Sequence, residues 1–197
     1  MKYIVLALTL FLLTGCNGIE KRIPMPSEMP TALPTITPAP TATESPVALR
    51  LFITKILDTD PGRVQNLTLC ASVLSGVRVA PGAEFSFNGT VGQRTAEKGY
   101  REAAILLDGE RGYATGGGIC QISSTLYNAA AAAGMEILER HSHTHEVHYV
   151  ELGKDAAVVY GAQDFRFRNP LSEPVSIEIL VENTEVKAVL YKIVNDM

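Results

Sequence analysis

Three consecutive glycines, Gly116-Gly117-Gly118, run directly into Ile119-Cys120-Gln121-Ile122-Ser123-Ser124-Thr125-Leu126-Tyr127-Asn128 and an alanine run that closes at Gly134. Glycine weakens regular structure while Ile, Gln, Leu and Ala sustain a helix, so the stretch predicts a tight turn that hands over to a helix with Cys120 in its first turn. The N–H groups at a helix N-terminus carry the equivalent of about half a positive charge, and a cysteine placed there ionises more readily than a free thiol. Those groups also point to where negative charge develops in an acyl transfer. The competing interpretation is that Cys120 is a small buried hydrophobe and the glycines are only a close connection.

Ahead of this stretch the chain divides. Met1-Lys2 is a short basic start, residues 3–12 are apolar, and Leu13-Thr14-Gly15-Cys16 ends the run with small residues. That is the layout of a secretory signal peptide, and it is too short for a comfortable transmembrane helix. The Leu-Thr-Gly-Cys ending resembles a bacterial lipobox. The resemblance implies cleavage before Cys16, lipid on its sulfur and a chain anchored to the cell membrane on its extracytoplasmic face. Residues 24–46 carry proline every few positions, which favours an extended, semi-rigid spacer. Residues 1–46 are therefore expected to lie outside the fold, and residues 47–197 to form one domain. Net charge is −4 with a pI near 5.6, and no basic run is long enough to track a nucleic-acid backbone.

Within the domain, residues 47–56 suit a first strand and residues 63–74 a helix, with Val64, Leu67, Ala71 and Leu74 on one face and Gly76 at its C-terminal end. Cys70 falls beside that face and is expected in the core, although outside a cell a Cys70–Cys120 disulfide is a rival to a reactive Cys120. Residues 83–87 read as a short strand with Phe85 and Phe87 on one side, followed by an Asn88-Gly89 turn. Residues 93–99 read as a surface loop, and residues 101–107 stay open between strand and helix. All four histidines fall in residues 141–148, and in a strand His141, His143 and His145 share a face. Strands are expected over residues 156–160 and 165–168, and a hairpin over 175–181 and 186–193 around Asn183-Thr184. The sum is an α+β domain of two helices and six or seven strands, the Cys120 helix packed on a largely antiparallel sheet.

Pro81-Gly82 with Phe85-Ser86-Phe87-Asn88, Val91-Gly92 with Arg94-Thr95, Gly99-Tyr100, the Gly116 to Tyr127 run, Glu139-Arg140-His141 with His143, Gly153 with Asp155-Ala156, and Asp164-Phe165 with Phe167 and Asn169 occur in that order. Together they resemble the VanW-like family over roughly residues 64–180. The family takes its name from a member of vancomycin-resistance gene clusters. The resemblance implies an extracellular, cell-envelope setting more than a reaction. Cys70, His145 and His148 lie outside its motif positions, which weakens both a disulfide and a three-histidine metal site.

A nucleophilic cysteine needs a base, and the base needs a third group to orient it. Chain order offers Cys120, then His141 or His143, then Asp155, Asp164 or Asn169. The same order of element types is similar to papain-like and transglutaminase-like enzymes. The candidate catalytic set is Cys120, His141, His143 and Asp164. Gly117, Gly118, Gln121, Ser124, Thr125, Asp155 and Asn169 are candidate binding positions, and Cys16 is the lipidation site. Gln121 admits two roles, an oxyanion donor or a helix cap. Ser123, Ser124 and Thr125 lack a nucleophile-elbow motif and are expected to bond locally. No cofactor or metal ligand is assigned. Three functions remain: a thiol hydrolase or transpeptidase acting on peptidoglycan peptides; a non-catalytic cell-wall or glycopeptide-response binding domain with a structural Cys120; and a metal site built from Cys120 with His141, His143 and His145.

Overall fold

In the computed structural model of the chain, the described residues are 44–107 and 110–195. The signal-peptide, lipobox and spacer expectations lie outside them, apart from the last three spacer residues. Those three are already structured, because strand β1 (Glu44–Lys55) begins at Glu44, whose register partner is Asn195 of β9 (Glu185–Asn195).

The main sheet is antiparallel in the order β1-β9-β8-β2, with β8 at Val175–Glu182 and β2 at Arg78–Val79. The β8–β9 hairpin turns at Asn183-Thr184, with Asn183 at φ 54°, a left-handed value that asparagine tolerates. A second antiparallel sheet has the order β3-β7-β6, from Glu84–Ser86, Arg166–Arg168 and Glu136–Glu139. Strands β4 (Glu102–Leu107) and β5 (Glu110–Thr115) form a separate hairpin, which decides for strand the segment whose sequence suits both. The α+β class stands, with nine strands among the described residues.

Helix α1 (Pro61–Leu74) starts where the sequence provides for it. Pro61 needs no N–H in the first turn, and the Asp60 carboxylate accepts from Gly62 N at 2.9 Å and Arg63 N at 3.2 Å, a cap worth about 1 kcal/mol. Helix α3 (Ile119–Ala132) packs on β1 and β9, and α1 packs on β8 and α3. Leu67, Leu74, Ile122, Leu126, Ile177 and Leu190 are fully buried between them. A second part of the core is aromatic. Phe85 stacks on Phe167 at 4.9 Å, and Tyr127 of α3 meets Phe165 edge-on at 5.8 Å. Asn88-Gly89 is not a hairpin turn. Ser86 caps a short helix α2 (Phe87–Val91), its hydroxyl accepting from Gly89 N, so Phe87 leaves the strand and is buried as a helical residue.

The histidine run is not a strand. Only His141 pairs, through a single bridge to Ala157, and residues 142–150 have no strand partner among the described residues. The alternation that would have aligned His141, His143 and His145 is therefore absent, and each histidine finds its own surroundings. Among the described residues no helix is long and apolar enough to cross a membrane.

Candidate active site

The turn before α3 is fixed by close packing. A side chain at Gly117 would collide with the Ala103 carbonyl of β4, and Gly118, the N-cap, lies at φ 100°, a left-handed conformation that favours glycine. Asn66 of α1, fully buried, donates to Arg101 O at 2.9 Å and Gly117 O at 3.0 Å and accepts from Arg101 N at 2.7 Å. One amide thus joins α1, the start of β4 and the glycine turn. No side chain caps α3. Gln121 N reaches Gly118 O at 2.9 Å, while among the described residues the N–H groups of Gly118 and Cys120 have no backbone acceptor. Cys120, the second residue of the helix, is partly exposed beside those free donors.

His143 faces the thiol. Its Nδ1 is hydrogen-bonded to Asp155 Oδ2 at 2.6 Å, and its backbone N donates to the same oxygen at 2.6 Å. The remaining ring nitrogen, Nε2, is not taken by Asp155; His143 and Cys120 line the same cleft and each shifts the other's ionisation, while the thiol donates its own hydrogen bond to Val158 O at 3.6 Å. Asp155, 6% exposed, is held in turn by Arg140, whose Nη2 donates to Oδ1 at 2.8 Å and whose Nε donates to Asp155 O at 2.6 Å. The Arg140 guanidinium lies over the Tyr127 ring at 5.2 Å, so α3 supports both ends of the chain of contacts.

Burial pushes the Cys120 thiol up, but the neighbouring His143 outweighs it, and Arg94 adds to that effect, leaving the thiol below the ordinary cysteine value. Burial pulls His143 down, and the opposing hydrogen bonds and charges of Cys120 and Asp155 raise it overall. Asp155 is lifted by burial, yet the backbone N–H, ring and charge of His143 bring it below the ordinary carboxylate value. All three directions favour a thiolate–imidazolium pair.

Other sequence candidates have different work. Asp164, expected in the catalytic set, accepts from Ser86 Oγ at 2.5 Å and Asn88 N at 2.8 Å, so it serves the start of α2 and not the imidazole. His141, the other candidate base, is turned to Glu139 at 2.9 Å. Asn169 is fully buried and spends its amide on Val79 O, Glu173 O and Leu171 N, an arrangement that fixes a turn. The Gln121 amide is neither an oxyanion donor nor a cap, because its Nε2 donates to Thr54 Oγ1 at 3.1 Å and Lys55 O at 2.9 Å, and its Oε1 accepts from Arg63 Nη2 at 2.9 Å. Thr125 bonds back to Gln121 O and meets Thr54 at 2.8 Å. Ser123 and Ser124 bond to Cys120 O, as their local preference predicts, and also tether residue 156, through Ser123 Oγ to Ala156 O at 2.5 Å and Ala156 N to Ser124 Oγ at 2.9 Å. Those tethers hold Asp155 one residue away from α3.

Cys70 and Cys120 are both free, which removes the disulfide. Among the described residues no three His, Cys, Asp or Glu side chains gather as a metal-ligand group, because His141 and His143 are committed to separate carboxylates and His145 is exposed. That corrects the metal alternative.

The thiol and imidazole stand where two chambers of a cleft meet, about 630 Å³ and 270 Å³. Ile105, Gly118, Cys120 and His143 line both. Arg94 belongs to the larger chamber, Arg63 and Tyr149 to the smaller. These three and Arg140 escaped the sequence reading. Arg94 and Arg140 had a signal, the first standing beside Thr95 and the second between Glu139 and His141 in the family-like motif.

The family profile described as VanW like protein matches residues 62–191. Over 126 residues, 64% of this chain and 42% of the relative, the chain is 44% identical to a Bacillus subtilis protein named "Uncharacterized protein YoaR". Over 147 residues, 68% of this chain and 54% of the relative, it is 27% identical to the "Vancomycin B-type resistance protein VanW" of Enterococcus faecalis. The chain spans about half the length of these curated relatives. No solved structure matches it significantly.

Proposed function

The chain belongs to the VanW-like family, and from that premise we propose that it is a thiol-dependent acyl-transfer enzyme, a hydrolase or transpeptidase acting on peptidoglycan peptides at the outer face of the cell membrane, anchored by lipid on Cys16. The observation that carries the reaction is the placing of Cys120 at the N-terminus of α3 in the same cleft as His143, whose ring is held by Asp155. The cell-wall setting is supported by the name of the enterococcal relative and by the signal-peptide layout.

In the reaction, the Cys120 thiolate attacks a peptide carbonyl carbon and forms a carbon–sulfur bond. The carbonyl electron pair moves onto oxygen, beside the free N–H groups of the helix start. As the tetrahedral species collapses, the carbon–nitrogen bond breaks and the imidazolium of His143 gives its proton to the leaving amine. The neutral imidazole then takes a proton from water, or from an acceptor amine, as that nucleophile attacks the thioester and releases the thiolate. Asp155 keeps Nδ1 protonated throughout, leaving Nε2 to exchange the proton with substrate.

The test is incubation of purified protein with peptidoglycan stem peptides, followed by mass spectrometry of the products and of Cys120. A thioester on Cys120, with product formation absent in Cys120→Ala, supports the proposal. Equal turnover by Cys120→Ala rejects it. Intact-mass analysis of the membrane fraction tests the anchor, which an unmodified Cys16 would exclude.

A further inference from the structure

The arginines lining the cleft face no carboxylate. Neither chamber has an aspartate or glutamate in its wall, yet the larger contains Arg94 and the smaller Arg63. Among the described residues neither guanidinium has a carboxylate within ion-pairing distance, in contrast to Arg78, Arg140, Arg166 and Arg168. A cation in a partly desolvated wall is costly without a counter-charge; the single Cys120 thiolate, which Arg94 stabilises, offsets only part of two guanidinium charges, and the remainder suits an anionic ligand.

Each arginine is also held ready. Arg94 gives Nη1 to Asn88 Oδ1 at 2.6 Å and Gly92 O at 3.1 Å, and its guanidinium lies 5.5 Å from the centre of the Phe87 ring. Asn88 is itself fixed by Val159 O, Gln163 O and Asp164, which gives Asp164 an indirect connection to the cleft. Arg63 crosses Gly118, where its Cγ would stand 2.9 Å from an added Cβ, and gives Nη2 to Gln121 Oε1. These contacts are all with neutral groups. They leave Arg63 Nε and Arg94 Nη2 buried and without an acceptor.

We infer that the substrate is an anionic peptide, with carboxylates on both sides of the bond that is attacked, one received by Arg94 in the larger chamber and one by Arg63 in the smaller. The bidentate fit of guanidinium to carboxylate then sets the direction in which the peptide lies across Cys120. The inference rests on the preceding proposal only for the identity of the reacting thiol.

Alkylation of Cys120 in the full chain, mapped by mass spectrometry, separates the two. Iodoacetate and iodoacetamide both need the thiolate, so their rate ratio cancels the thiolate fraction and reports the preference for an anion. Arg63→Gln and Arg94→Gln should each lower the iodoacetate/iodoacetamide ratio about tenfold, the low end of what a charged cleft does to local anion concentration. Added salt should lower the wild-type ratio. Arg63→Lys and Arg94→Lys, which keep the charge with less change in packing, should retain most of it. A ratio unchanged in either glutamine variant that remains folded by circular dichroism overturns the two-sided site, as does a lysine variant as low as its glutamine counterpart. The pH profile of iodoacetamide alone tests the nucleophile. An ordinary thiol pKa with an arginine-dependent ratio would reject the enzyme while keeping the anion site, and the opposite pattern would do the reverse.

Discussion

Cys70 and Cys120 adjoin the same hydrophobic core and both suffer from burial, yet they are opposite kinds of thiol. Cys70 lies in the interior of α1 with no exposure, and burial pushes its pKa up to about 12 against a smaller opposing effect from Arg94. Cys120 lies at the second position of α3, with free N–H groups beside it and His143 in the same cleft, and it falls below the ordinary value. The lesson is that desolvation is common to both and the partner decides the sign. A cation held in place by Asp155 and Arg140 turns a core-like cysteine into a candidate nucleophile.

The comparison breaks most completely if the Cys120 sulfur is removed. Cys120→Ala should reduce turnover of stem peptides by about 10³-fold or more while leaving the far-ultraviolet circular dichroism unchanged, since the side chain is partly exposed. Retained turnover would make the two cysteines equivalent in function.

Removing the partner is the next largest change. His143→Ala should return Cys120 toward the ordinary thiol pKa and slow iodoacetamide at pH 7 about tenfold or more. His141→Ala should leave that pH profile in place, because its ring pairs with Glu139. A profile that moves with His141 and not with His143 contradicts the assignment.

The two aspartates sharpen the contrast. Asp155→Asn should lower turnover about 10²-fold and raise the Cys120 pKa, whereas Asp164→Asn should leave the alkylation profile in place and destabilise the start of α2 by about 1 kcal/mol. The pH sign follows from the depressed carboxyl of Asp155, whose ordinary value is 3.8. Its contribution to stability is full above that value and is lost as pH falls through the lower folded value. The gap in denaturant midpoint between wild type and Asp155→Asn should therefore be steady from about pH 4 to about pH 6, narrow in more acid solution, and shrink again as pH rises through the raised value of His143. A gap that widens in acid would mean that the folded protein raises this carboxyl instead.

The smallest effect concerns Cys70. Cys70→Ala should cost about 1–2 kcal/mol through a small cavity and leave the rate of Cys120 alkylation unaltered, as measured by urea unfolding and by mass spectrometry. A large loss of Cys120 reactivity would point to a coupling between the thiols beyond shared packing.

What the sequence determined by itself was largely local. The glycine run specified a turn and a helix carrying Cys120, because backbone freedom and helix propensity act over a few residues. The α1 face of Leu67, Ala71 and Leu74 was legible from its period, and the β8–β9 hairpin from two apolar runs around Asn183-Thr184. Family-like motif positions brought Cys120, His143 and Asp155 onto one candidate list. Only the tertiary structure decided among them. Asp155 and Asp164 are both acids downstream of the histidines, and nothing in their spacing says that one meets His143 while the other receives Ser86 and Asn88. His141 and His143 are two residues apart, and their separation into different partners depends on the chain leaving strand geometry after the Ala157 bridge. Arg63 and Arg94 come to either side of the thiol from parts of the chain that precede it by tens of residues, and the Gln121 amide is committed to β1 and Arg63. Side-chain identity and short-range propensity are written in the order of residues. Which polar groups face one another is set by long-range packing, where each buried donor or acceptor must find a partner from another element.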